Sequence, residues 1–141
     1  MSNPSYSIGD VQTRTTLSAD TLRYYERLGL LGSVPRDPGG RRRYADSHLA
    51  RLAFIRRAQA MNFSLAEISQ LLAMRDDPVN SREQARTLAE TKIGEIEERL
   101  RILSQLRDEL SELIERCRHE GPGPCPILTG IGTPSDQDSS H

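Results

Sequence analysis

From Ser81 to Arg118 the chain contains no proline and only one glycine, Gly94. About 38 residues without a breaker spell a helix of roughly 57 Å. A helix that long cannot bury itself within a chain of 141 residues. Heptads counted from Ala89 place Ala89, Ile93, Ile96, Leu100, Leu103, Arg107, Leu110, Ile114 and Cys117 along one seam. Only Arg107 interrupts it, and Leu106 and Leu113 widen it on one side. A sustained apolar seam amid Glu and Arg predicts a coiled coil, and one helix needs a second to complete it. The pattern therefore predicts a homodimer joined through residues 81–118. Packing of this helix back on its own head is the alternative, but a helix of this length would overhang.

The first 80 residues are built differently, from short segments between turn signals. Ser7-Ile8-Gly9-Asp10-Val11 opens a short helix. After a turn at Thr15-Thr16-Leu17, Ser18 reads as an N-cap, followed by a helix over Asp20–Leu28 that Gly29 closes. Leu22, Tyr25 and Leu28 form its apolar face. Two short helices about a tight turn, the second bearing Arg and Tyr, make a helix-turn-helix pattern. Val34 to Tyr44 carries a strong turn signal, Pro38-Gly39-Gly40, between short extended arms, and reads as a hairpin or wing with arginines on its return arm. Asp46 or Ser47 is expected to cap a third helix bearing Leu49, Leu52, Phe54, Ile55 and Ala58. Ser64-Leu65-Ala66-Glu67 is a capping box that starts a fourth, with Leu65, Ile68, Leu71 and Leu72 inward, ending near Met74. Asp76-Asp77-Pro78 is a break.

Charge divides the chain in the same place. Residues 1–80 hold 11 arginines against 8 acidic residues, and residues 81–141 hold 8 basic against 12 acidic ones. Of the 19 basic residues 18 are arginine, whose planar fork suits phosphate and guanine; GC-rich coding produces the same bias. The balance fits a nucleic-acid-binding head on a different kind of tail. Apolar runs are only a few residues long, and Met1 to Ile8 lacks an apolar signal core, so the expected location is the cytoplasm, with no membrane partner. His48, His119 and His141 are scattered, and no spacing suggests a nucleophile with its base. An enzyme is not expected.

The run Tyr24-Tyr25-Glu26-Arg27-Leu28-Gly29-Leu30-Leu31, followed by Arg36-Asp37-Pro38-Gly39-Gly40-Arg41-Arg42-Arg43-Tyr44, resembles the MerR family of bacterial transcription regulators. The resemblance covers roughly residues 6–129 and implies an all-α fold with a small β wing. A winged helix-turn-helix head (6–75) would precede a long dimerisation helix (81–118) in an antiparallel coiled coil. An effector loop and short terminal segment (117–129) would follow, then a polar tail (130–141) that reads as disordered. Such dimers bind a pseudo-palindromic operator in double-stranded DNA. They act on RNA polymerase at promoters with overlong spacers by kinking and untwisting the DNA. By family position Arg23 and Tyr25 face the major groove and its phosphates, and Arg36, Arg41, Arg42 and Tyr44 hold the backbone from the wing. Arg41 stands where the family more often has Tyr. Tyr25 is alternatively a core residue, and Arg41 to Arg43 a solvated loop.

Cys117 and Cys125, the only cysteines, flank a loop containing Gly121, Pro122, Gly123 and Pro124. Neither the four ligands nor the short C-x₂₋₄-C spacing of a zinc site is evident. Two thiolates facing across such a loop can grip a soft monovalent ion linearly, Cu(I), Ag(I) or Au(I). The spacing is similar to that of the family's copper-responsive branch, which carries Ser where divalent-metal sensors have a third Cys. Here Ser81 or, in an ungapped register, Arg82 takes that position, and His119 inside the loop offers a nitrogen. Sensing of a divalent heavy metal, or of an aldehyde or oxidant through a modified thiol, are the alternatives on the same scaffold.

Overall fold

The structure, a computed structural model, describes residues 4–119 and 121–132. Its helices among these residues are α1 (Ile8–Thr15), α2 (Ala19–Arg27), α3 (Asp46–Ala60), α4 (Leu65–Arg75), α5 (Arg82–His119) and α6 (Pro126–Gly130). They divide into two compact units, Met1–Lys92 and Ile93–His141. The tail expected to be disordered from 130 lies, beyond Gly132, outside the described residues.

In the first unit local chemistry sets each helix boundary. Ser7 caps α1 in a reciprocal box with Asp10, Ser18 caps α2 through the Thr21 amide, and Ser64 and Glu67 form the expected box on α4. The end of α2 is a Schellman turn. Gly29 adopts φ +77°, its N–H bonds the Glu26 carbonyl, and the Leu30 N–H bonds that of Tyr25. This turn swings Leu30 and Leu31 into the core and leaves Leu28 exposed. Leu28 therefore does not belong to the apolar face with Leu22 and Tyr25. The start of α3 also differs from expectation. Its N-cap is Ala45, and no side-chain oxygen caps it. Instead His48 Nδ1 accepts the Ala45 N–H at 2.8 Å while its Nε2 lies 2.8 Å from the Ser33 carbonyl. That pairing makes the buried ring a neutral Nε2–H tautomer, with both nitrogens satisfied.

The core joins Val11, Leu22, Tyr25, Leu30, Leu31, Tyr44, Leu52, Ile55, Ala58, Ile68 and Leu72. The wing is a hairpin held by one antiparallel bridge, Arg36 with Arg42, and a second bridge ties Tyr6 to Tyr44. Neither extends into a strand among the described residues. Pro35 and Pro38 have no N–H to give to a ladder. The hairpin closes instead on the turn from the Gly40 N–H to the Asp37 carbonyl, and on a reciprocal pair. The Asp37 carboxylate accepts the Arg41 N–H at 2.9 Å, and the Asp37 N–H donates to the Arg41 carbonyl at 2.8 Å.

The first turns of α5 belong to this unit. Ala85, Leu88 and Lys92 form a half-buried to buried stripe, distinct from the heptad seam. Lys92 Nζ lies 3.0 Å from Glu67 Oε1 and 5.2 Å from the Phe63 ring centre.

In the second unit α5 exposes Ile93, Ile96, Leu100, Leu103, Leu110 and Ile114. The short helix α6, not anticipated from the sequence, rests on α5 at Gly130, where an added Cβ would run into the Leu113 side chain. Its signal was Pro126 in the first turn.

Candidate functional site

Four of the six residues expected at the nucleic-acid face converge. Arg23 from α2 and Arg36, Arg41 and Arg42 from the wing line one cleft of about 190 Å³ with Ser7, Ile8 and Gly40. Arg36 is steadied by the Gly40 carbonyl at 3.1 Å. Arg42 Nε meets Glu26 Oε2 at 2.6 Å, so a residue of α2 aims a residue of the wing. Arg23 pairs loosely with Asp20 at 3.3 Å and stays open to solvent. Sequence reading missed the Arg42–Glu26 pair because nothing local links residues 16 apart.

The two tyrosines lie elsewhere. Tyr25 is 5 % exposed and its hydroxyl donates to Gln59 Oε1 at 3.4 Å, which is the core placement. Helical spacing explains it: Leu22 and Tyr25 share the inward face, so Arg23 and Tyr24 turn outward, and Tyr24 is the exposed ring. Tyr44 is 1 % exposed, and its hydroxyl has no hydrogen-bond partner among the described residues. Burial first, then the neighbouring Glu26 carboxylate, raise its pKa above the ordinary tyrosine value.

At the far end of the chain the Cys117 and Cys125 sulfurs stand 3.2 Å apart. Cys125 is the N-cap of α6. The Cys117 thiol beside it, then the amides of Ile127 and Leu128, hold Cys125 below the usual thiol range, since each favours the thiolate. His119 turns away to Glu115, at 3.2 Å. Among the described residues no group of three or more His, Cys, Asp or Glu side chains is placed to hold a metal. The two sulfurs are the soft donors that this end of the chain brings together. Ser81 and Arg82 line a separate groove of about 260 Å³ in the first unit, with Phe54, Leu71, Met74, Arg75, Pro78 and Ala85.

An arginine-lined cleft between a capped helix pair and a wing, followed by a long helix, is matched by two family profiles. "MerR HTH family regulatory protein" covers residues 6–75 and "MerR, DNA binding" covers residues 49–113. The chain belongs to the MerR family of transcriptional regulators. This MerR-family chain is 36% identical to the HTH-type transcriptional regulator HmrR of Rhizobium leguminosarum bv. viciae, over 86% of this chain and 94% of that one. It is 31% identical to the HTH-type transcriptional regulator CueR of Salmonella typhimurium, over 89% and 91%. Among solved structures, the transcription regulator PbrR691 of Ralstonia metallidurans CH34, in complex with lead(II), superposes with a TM-score of 0.71. It shares 33% identity over 89% of this chain and 98% of that one. The MerR-family regulator is thus a helical transcription factor and not an enzyme, and none of its described helices is long and apolar enough to cross a membrane.

Proposed function

We propose that this MerR-family regulator is a homodimer that activates an overlong-spacer promoter when Cys117 and Cys125 capture one soft monovalent ion, Cu(I), Ag(I) or Au(I), per chain. The observation that carries the reading is the pair of sulfurs 3.2 Å apart with no third ligand group beside them among the described residues. Among the described residues a mercury, lead or zinc site in three- or four-ligand form lacks its further donors, and Ser81, Arg82 and His119 supply no thiolate.

The exposed seam of α5 joins two copies. Arg23, Arg36, Arg41 and Arg42 hold the operator's phosphates, with Tyr24 rather than Tyr25 as the exposed ring of α2. By sharing the ion, Cys117 at the end of α5 and Cys125 at the start of α6 fix the loop between them. An effector shifts an equilibrium only by its differential affinity for the two states, so the ordered loop must favour the dimer geometry that distorts DNA. The heads' hold on the phosphates offsets the cost of bending the duplex, and RNA polymerase then meets both promoter elements in register.

The test is a promoter reporter challenged with Cu, Ag, Au, Hg, Pb, Cd and Zn salts, together with the Cu(I) content of the purified reduced protein. Induction by the coinage metals, lost in Cys117→Ser and in Cys125→Ser while operator affinity is unchanged, is expected. Full induction of Cys125→Ser by copper or silver would overturn the thiol-pair reading.

A further inference from the structure

We propose that Cys117 and Cys125 form an intramolecular dithiol–disulfide couple, oxidised by a hydroperoxide, whose disulfide closes the ion site. The two sulfurs already stand 3.2 Å apart. A disulfide needs about 2.05 Å, so they must close by roughly 1.2 Å. The chain bends between them at Gly123, whose φ of +151° no L side chain adopts readily. Both residues stand as thiols, and Cys117 is open to a dissolved oxidant while Cys125 is half-buried beside it. An exposed sulfur that meets peroxide with a second sulfur already against it has a resolving partner at hand. Condensation within the chain then outruns both further oxidation and cross-linking between chains.

The chemistry balances with the peroxide as sole co-reactant. One cysteine sulfur, as thiolate, attacks a peroxide oxygen, the O–O bond breaks, and the departing alkoxide takes up the thiol's proton as an alcohol. The sulfenic acid formed is attacked by the second sulfur. The S–S bond forms, and hydroxide leaves with that thiol's proton as water. Two cysteines lose two electrons and two protons, and one peroxide is reduced to alcohol and water. A disulfide offers no thiolate, so the oxidised chain is blind to the ion. This last consequence rests on the function proposed above; the couple itself does not.

The test treats the reduced, metal-free full chain with stoichiometric hydrogen peroxide. Thiols are counted colorimetrically, and intact mass and non-reducing electrophoresis are recorded. Both thiols should disappear, the mass should fall by two hydrogens, no cross-linked chains should form, and dithiothreitol should restore the original state. Cys117→Ser and Cys125→Ser should instead gain oxygen on the remaining sulfur or cross-link. A wild-type chain that keeps both thiols, gains oxygen atoms or cross-links overturns the couple. Silver(I) binding to the reduced and the oxidised chain separates the two readings. If the disulfide forms but the reduced chain binds no silver, the couple stands and the ion-sensing function falls. If the oxidised chain binds silver as tightly as the reduced one, closure of the site is refuted.

Discussion

The first unit and the second solve the same problem in opposite ways. Between Val11 and Leu72 a core of apolar side chains is enclosed by its own chain, with Val11, Leu22, Leu52, Ile55 and Ile68 at 0 % exposure. From Ile93 onward they stay outside: Leu100 is 61 % exposed and Leu128 80 %. Such a contiguous apolar stripe marks an interaction surface. The head owes its stability to itself. In the proposed dimer the helix beyond it would be stabilised by the second copy covering the seam, a term that depends on protein concentration.

Leu103→Asp should break the second arrangement outright. A carboxylate buried unpaired in the seam costs several kcal/mol, so sedimentation should show the dimer lost at micromolar concentration. A stable Leu103→Asp dimer would refute the heptad register.

Leu52→Ala attacks the first arrangement instead. Removing a fully enclosed leucine from the head should cost about 2–5 kcal/mol in denaturant unfolding. The penalty should be the same at every protein concentration, because Leu52 is enclosed by its own chain. A penalty that grows on dilution would mean the head is not self-sufficient.

The same contrast explains what could be read from the sequence. Capping and turn chemistry is local, so Ser18, the Ser64–Glu67 box and Gly29 were legible and the head's helices followed. The seam of α5 was legible because its periodicity runs over many turns. What escaped was non-local or competed with a plausible local signal. Asp46 offered a better cap by residue type than Ala45, yet His48 filled the role because its ring also reaches Ser33 across the fold. Leu28 had the right spacing for the inward face, but the Schellman turn handed that place to Leu30. Nothing local in the sequence marks Lys92 as different from the other charges of α5. Only its approach to Glu67, 25 residues away, makes it a buried anchor. The cysteine pair was legible as a spacing, and its 3.2 Å separation was not.

Lys92→Ala should sharpen the boundary between the units. Glu67 is held below the usual glutamate range, first by the Ser64 N–H and then by Lys92. A carboxylate whose folded pKa is depressed stabilises the fold above its ordinary value, and this is lost as pH falls through the folded one. Lys92→Ala should therefore lower Tm by a few degrees near neutral pH. Its deficit relative to wild type should shrink as pH falls from the ordinary glutamate range through the depressed folded value, where Glu67 takes up its proton in wild type as well. A deficit that stays constant through the whole acid range in which the protein remains folded would show that Lys92 acts through packing on Phe63 and not through charge.

The smallest effects are expected within the head's own cleft, between two arginines that are neighbours in sequence. The Arg41 guanidinium makes no hydrogen bond or ion pair among the described residues, whereas Arg42 is locked to Glu26 at 2.6 Å. If both hold phosphate, each Ala variant should reduce the salt slope of operator binding by about 1 without changing sequence preference. Arg41→Ala should stop there, with a loss of about tenfold. Arg42→Ala should lose more, because it also bares the Glu26 carboxylate beside the DNA, and a like charge facing phosphate repels it. Adding Glu26→Gln to Arg42→Ala should therefore recover the excess and bring the double variant level with Arg41→Ala. Competition binding at several salt concentrations measures all three. If Arg42→Ala and Arg41→Ala coincide, the α2-to-wing ion pair has no part in presenting the cleft to DNA, and the head reads its operator through independent side chains.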